Sequence, residues 1–378
     1  MKNICILITN RTNYSKIKPI LLNLKSYEEV SIKIVLSSSA IISKYGNLID
    51  LIRQDGFEIN FSIDSLLLND KHSSMAISAG ISMIQHANYF QNNNVNFVLT
   101  VGDRFDMLTP VLAAKYMNIP VFHLQGGEKS GSIDDTIRNL ISLSSEIHFV
   151  ATERSKQNLI NLGINKNKIF NFGCTAVEYL ITKVDSLSSK NSIKLSSGKV
   201  INLDEQKDYF IVLLHPNTTR DDIDIDTVFS AIDKFQKKVF VFYPNVDASN
   251  SIILSAIQKK NNDSNYFIIK NLSIEDFGVL MSKSICFIGN SSSGIRESAS
   301  FRIPFVNIGQ RQNLREQNNN TINCSSDMKS IYEAISTAIQ IKPNLTGENI
   351  YYQKYSSKKI SDKILQIINY KNVQSINS

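Results

Sequence analysis

The chain has 378 residues, of which 42% are hydrophobic and 20% charged, and it carries a net charge of +7. That length implies two cores rather than one, and the composition excludes a disordered or fibrous chain. The lysines are scattered and no aromatic-interleaved basic stripe occurs, so the charge points to an anionic small ligand and away from nucleic acid.

The N-terminus has only Lys2 before a short apolar run and no small-residue cleavage site. No later run reaches transmembrane length, so a cytoplasmic protein without a membrane partner is expected. Cys5, Cys174, Cys286 and Cys324 show no metal-ligand spacing and read as reduced thiols, with no metal site.

Buried strands are expected at Ile4–Ile8, Ile32–Leu36, Phe97–Val101, Pro120–Leu124 and Ile147–Val150. Helices are expected between them at Lys16–Leu24, Ser73–Gln91, Met107–Met117 and Asp134–Leu143. The same rhythm restarts after residue 205, with strands at Phe210–Leu214, Val239–Tyr243, Tyr266–Ile269, Ile285–Ile288 and Phe305–Asn307. Its helices fall near Asp226–Gln236, Ser251–Lys259, Ile274–Lys283 and Gly294–Ser300. Such alternation predicts an α/β protein with two doubly wound, Rossmann-like domains facing a cleft. We place the first domain at 1–180 and the second at 181–352, with a Ser/Lys/Asn-rich linker at Ser186–Lys207 or just before it. An amphipathic helix follows in residues 353–378.

Ligands of such sheets bind beyond the carboxyl ends of the strands, and the polar clusters fall there. Thr9–Lys16 contains Arg11 and Ser15; it is either a helix cap or a diphosphate contact. Asp103 and Arg104 follow the strand ending at Val101, as a surface ion pair or as site residues. Gln125-Gly126-Gly127-Glu128 follows Leu124, and the glycine pair would let the backbone approach a ligand. Asp134 and Asp135 open a helix carrying Arg138, where dipole capping is the alternative. In the second half, His215 ends one strand, and Asn245 and Asp247 follow another. The strongest local signal is Gly289–Glu297, a strand feeding the turn Ser291-Ser292-Ser293. Its backbone N–H groups and hydroxyls can converge on an anion, and Glu297 could hold a ribose. Arg311 follows the next strand.

In order, NRTNYSKIKP, VGDRFD, HLQGGEKSGSIDDTIR, LLHPNTT, FYPNVDAS, GNSSSGIRE and GQRQ resemble the motifs of the hydrolysing UDP-N-acetylglucosamine 2-epimerases. The resemblance covers nearly the whole chain. It implies a GT-B-like fold whose C-terminal helix crosses back to the first domain. It implies elimination of UDP to a 2-acetamidoglucal, then hydration to an N-acetylmannosamine-type sugar, with no cofactor. The sugar would be N-acetylglucosamine or a 4-acetamido-6-deoxy relative. Ser291, Ser292 and Arg311 would meet the diphosphate, Glu297 the ribose, and backbone near Leu272 the uracil. His215, Arg11 and Arg104 would serve the diphosphate or leaving group. Asp103, position 125 and Asp134 match acid/base positions, with Glu128 and Arg138 beside them. A homo-oligomer, dimer or tetramer, is implied by the resemblance alone.

The departures lie on the sugar side. Asn13 stands where related enzymes commonly carry an acid, Gln125 where they often carry Glu, Asn139 where they carry His, and Leu143 where they carry Lys. An amide does not accept a proton as a carboxylate does. Two other readings therefore stand beside the epimerase: a GT-B glycosyltransferase, and a catalytically weakened UDP-sugar-binding protein.

Overall fold

The structure is a computed structural model that describes residues 1–42, 47–67, 72–131, 133–187, 190–195, 198–216, 223–244 and 250–376. The first half contains β1 (Lys2–Ile8), α1 (Arg11–Leu24), β2 (Val30–Ser37), α2 (Leu48–Gln54), β3 (Ile59–Ile63), α3 (His72–Asn92), β4 (Phe97–Val101) and α4 (Phe105–Tyr116). It continues with β5 (Val121–Leu124), α5 (Asp134–Leu143), β6 (Ile147–Val150), α6 (Glu153–Asn161), β7 (Ile169–Asn171) and α7 (Thr175–Ser186). A hairpin, β8 (Ser192–Lys194) and β9 (Val200–Asn202), leads into the second half.

The second half holds β10 (Tyr209–Leu213), α8 (Ile225–Asp233), β11 (Lys238–Phe242), α9 (Asn250–Lys259), β12 (Tyr266–Ile269) and α10 (Ile274–Lys283). Then come β13 (Cys286–Gly289), α11 (Ser292–Arg296), β14 (Phe305–Ile308), β15 (Thr321–Cys324), α12 (Met328–Ile341) and α13 (Ser356–Ile376).

Two parallel sheets result, ordered β3-β2-β1-β4-β5-β6-β7 and β12-β11-β10-β13-β14-β15. Helices cover both faces, so central strands such as β4, FVLTV, are buried at every position and read as continuous apolar runs. Strand order reverses between β1 and β4 in one sheet and between β10 and β13 in the other. At those points loops leave in opposite directions and open a crevice. Ile4 pairs with Phe97, so the chain leaves β1 at Thr9–Asn10 beside Gly102–Asp103. Leu213 pairs with Gly289, which brings His215 beside the serine turn.

Helix α13 packs on the first sheet: Ile360, Ile364 and Ile368 join the core around Ile17, Ile20, Leu21 and Leu24 of α1. Residues within the segment read as the linker, Ser186–Lys207, contribute to the second core. Ile193 and Ile201 of the hairpin, with Leu203, are buried with Phe240, Val279 and Leu280. Helix α1 begins at Arg11, five residues before the expected start, because Asn10 caps it: its side chain accepts from the Asn13 N–H at 3.0 Å. No helix among the described residues is long and apolar enough to cross a membrane.

Candidate active site

A cavity lies between the carboxyl ends of the two sheets, and both switch points face it. Among the described residues its wall carries seven cationic side chains, Arg11, Lys16, Arg104, Lys270, Arg296, Arg311 and Arg315, against three carboxylates, Asp103, Asp134 and Glu297. Such an excess in a low-dielectric cleft favours an anionic ligand.

On the first-sheet wall, Asp103 ends β4 and pairs with the fully buried Arg138 of α5. Burial alone would raise its pKa. Arg138, Lys16 and Arg315 outweigh burial and hold the carboxyl well below the ordinary carboxylate range. Arg138 also donates to the Asp135 carboxylate at 2.6 Å and to the Glu128 carbonyl at 2.5 Å. It does not line the cavity; it orients what does. The two aspartates that open α5 divide their work. Asp135 accepts from the Ser130 N–H at 2.8 Å, the Ser130 hydroxyl at 2.7 Å and the Gly131 N–H at 2.8 Å, and so fixes the preceding loop. Asp134 faces the cavity, 3.9 Å from Arg311 of the opposite sheet.

Gln125 and Glu128 sit behind this wall. Gln125 leaves β5 with φ +63°, donates to Cys174 Sγ at 3.2 Å and accepts from Arg296 at 2.6 Å. Glu128 is buried between Arg296 and Arg315, both from the second half, in short contacts with each. The glycine pair approaches protein and not ligand: a Cβ on Gly127 would stand 2.1 Å from the Ser155 carbonyl of α6. Asn13 is committed as well. Its carbonyl accepts from the Thr9 hydroxyl at 2.8 Å and its amide donates to the Val101 carbonyl at 3.1 Å, tying α1 to β1 and β4. Asn139 is half-buried on α5 and Leu143 is 54% exposed, and neither lines the cavity.

Arg11, Ser15 and Arg104 line the cavity from the first half, with the Ser15 hydroxyl donating to the Thr12 carbonyl at 2.9 Å. His215 faces them from the second half. Its backbone is clamped by Asn290, which accepts from the His215 N–H at 2.7 Å and donates to its carbonyl at 2.9 Å. Burial, then Arg311 and Arg104, push the imidazole pKa well below its usual value, so the ring is neutral.

Ser291 caps α11, accepting from the Ser293 N–H at 3.3 Å, and lines the cavity with Ser292 and Ser293. Helix α11 is only five residues long, so Glu297 falls at its C-cap rather than in a first turn. Glu297 is buried and its Oε2 has no hydrogen-bond partner among the described residues. Burial raises its pKa to about 7 against the opposing charge of Arg296. A buried orphan acceptor suits a ligand hydroxyl. Arg311 donates to the Asn290 carbonyl at 3.1 Å, and Leu272, Ile274 and Phe277 form an apolar end to the cavity. Asn245 and Asp247 lie outside the described residues.

Sequence reasoning missed Lys16, Arg296 and Arg315. Lys16 closes the Thr9–Lys16 cluster, where it reads as the first residue of the expected helix Lys16–Leu24. The two arginines take their meaning from Glu128, 168 and 187 residues away, a pairing no local pattern encodes.

The family model described as UDP-N-acetylglucosamine 2-epimerase matches residues 23–369. A relative from Legionella pneumophila, named UDP-N,N'-diacetylbacillosamine 2-epimerase (hydrolyzing), is 32% identical over 97% of this chain and 96% of its own length. A Campylobacter jejuni relative, named GDP/UDP-N,N'-diacetylbacillosamine 2-epimerase (hydrolyzing), is 29% identical over 89% of this chain and 88% of its own. In fold, the chain is similar to the crystal structure of a Neisseria meningitidis UDP-GlcNAc 2-epimerase bound to UDP-GlcNAc, with a TM-score of 0.78 and 18% identity over 97% of this chain and 100% of that one. With two parallel sheets joined at their switch points, a returning C-terminal helix, and matches along nearly its whole length, the chain belongs to the hydrolysing UDP-N-acetylglucosamine 2-epimerase family.

Proposed function

We propose that the chain hydrolyses a UDP-sugar with inversion at C2, releasing UDP and an N-acetylmannosamine-type sugar. One observation carries this reading: cations from both halves converge on a cavity whose first-sheet wall holds an ionised Asp103. Arg11 and Arg104 with Arg311 and the serine turn would hold the diphosphate, Glu297 the ribose, and the apolar end near Leu272 the uracil. The C2 proton beside an acetamido group is not acidic, so loss of the leaving group must run ahead of proton removal. Cations on the diphosphate stabilise the charge that grows there. Asp103 supplies a fixed negative charge facing the cation that develops at C1. We place UDP-N,N'-diacetylbacillosamine first among substrates, on the name of the 32% identical relative, and UDP-N-acetylglucosamine second. We also propose a homo-oligomer, to be checked by light scattering.

Purified protein incubated with each nucleotide sugar tests the reading. The expected result is acceptor-free release of UDP with a manno-configured sugar. UDP release only with an added acceptor would make it a glycosyltransferase; tight binding without turnover would make it a binding protein.

A further inference from the structure

Lys16 lies in the second turn of α1, 8% exposed, on the cavity wall. Its amine has no hydrogen-bond or ion-pair partner among the described residues; the groups around it act on it only through space. Arg296 and Arg315 face it from the second half, Asp103 from the end of β4, Cys174 from the start of α7, and Glu297 from the end of α11. Gln125 touches two of these neighbours, Arg296 and Cys174. Lys16 and position 125 therefore belong to one cluster.

Three groups near the first-sheet wall are poor proton acceptors. Asp103 is held ionised by Arg138 and Arg315, with Lys16 adding to this only when protonated, and a carboxylate so stabilised has little affinity for a proton. Glu128 is consumed by two arginines, and Gln125 has no basic lone pair at neutral pH.

We infer that Lys16, as the free amine, takes the C2 proton of the bound sugar, and that a neutral residue at position 125 is what keeps that amine free. The inference rests on the epimerase reading. In the step, the C2–H bond breaks and its proton joins the Lys16 nitrogen. The C–H electron pair becomes the C1=C2 double bond, and the C1–O bond breaks with its pair going to UDP. Water then supplies hydroxyl at C1 and a proton at C2 on the opposite face, and the ammonium releases its proton to solvent. The net change consumes one water and liberates one proton with UDP. Burial, then Arg296, lowers the lysine pKa to about 7, with Asp103 opposing. A carboxylate at position 125 would oppose it further.

The test is the pH dependence of kcat/KM, which reports the free enzyme, for wild type, Lys16→Arg and Gln125→Glu on the two nucleotide sugars. In wild type, kcat/KM should rise with pH and level off near 7. Lys16→Arg cannot deprotonate, so kcat should fall by roughly 10²–10⁴, the usual worth of general acid–base catalysis. Below about pH 7, where Lys16 is mostly the ammonium and Arg carries the same charge, its calorimetric Kd for UDP should change less than about threefold. Gln125→Glu should move the acidic limb upward by about one pH unit or more. A lysine 13Cε signal in selectively labelled protein should titrate near neutral pH, be absent in Lys16→Arg and move upward in Gln125→Glu. If wild type releases no UDP from either sugar, the epimerase reading falls and the inference with it. If wild type turns over while Lys16→Arg keeps a tenth of its kcat, or no lysine signal titrates below pH 9, the epimerase reading stands and Lys16 is not the proton acceptor.

Discussion

At the scale of single residues, charge placement divides the site into parts that can move protons and parts that cannot. Glu297, buried with one orphan oxygen, is poised for a neutral donor. Glu297→Ala should weaken UDP binding by about 1.5–3 kcal/mol, the worth of a hydrogen bond to a charged group, measured by calorimetry. Asn13 shows the opposite situation, with both ends of its amide already committed. Asn13→Asp would turn the donor to the Val101 carbonyl into a second acceptor, beside Asp106, which already accepts from Thr9 at 3.2 Å. We expect a loss of about 1–3 kcal/mol in urea unfolding. The strand-end rule made Asp103, Asp134, His215 and the serine turn legible. It could not separate Asp134, which faces the cavity, from Asp135, which fixes a loop, because the two differ only in which side of one helical turn they occupy.

At the scale of elements, the central strands were legible and three edge strands were not. Apart from the hairpin β8–β9, the strands that were not anticipated, β3, β7 and β15, each close one end of a sheet. Edge strands have one covered flank, so INFSI and TINC carry mostly exposed and half-buried positions where β4, β5, β13 and β14 are buried throughout. A search for continuous apolar runs passes over them. Helices α2, α6, α7 and α12 also went unanticipated. The hairpin after Ser186 went unanticipated for a different reason: Ile193 with Leu195 and Ile201 with Leu203 are spaced by a period of two and packed on the core, while Val200 stays exposed. Helix α13 presents Ile360, Ile364 and Ile368 at helical spacing to α1. Ile364→Ala, at a position with no solvent exposure, should cost about 2–5 kcal/mol in urea unfolding. A loss under ~1 kcal/mol would mean that the helix is only loosely docked.

At the scale of the molecule, the two sheets are bound together on both sides of the cleft. Glu128 joins Arg296 and Arg315 on one side, and Lys18 of α1 joins Glu275 of α10 at 2.9 Å on the other, where Tyr179 also donates to Glu275 at 2.6 Å. Glu128→Gln would leave two buried guanidiniums without a counter-charge. Breaking such a pair from one side costs about 3–5 kcal/mol, and scattering should then show a more open ligand-free molecule whose radius contracts on adding UDP. An unchanged radius would mean that packing alone holds the cleft. Lys16 adds a pH dependence of stability. Its folded pKa, near 7, lies below the free lysine value of 10.5, so between those limits the unfolded chain binds the extra proton and stability rises with pH. Lys16→Met should flatten that rise and stabilise the protein most at and below neutral pH, as measured by thermal unfolding across pH 6–10 in steps of about one unit.

The return of α13 has a consequence for how the chain is made. The sheet translated first lacks three of its core isoleucines until the last stretch of the chain has left the ribosome. The second sheet needs nothing from α13 and can settle earlier. Synthesis order and completion order are therefore reversed for the half that carries Asp103 and Lys16. A product cut short between the last sheet strand, which ends at Cys324, and residue 356 would hold the serine turn yet leave an unfinished apolar surface on its first sheet. Such a fragment should be recognised by chaperones and proteases, so that the docking of Ile360, Ile364 and Ile368 acts as a proofreading mark.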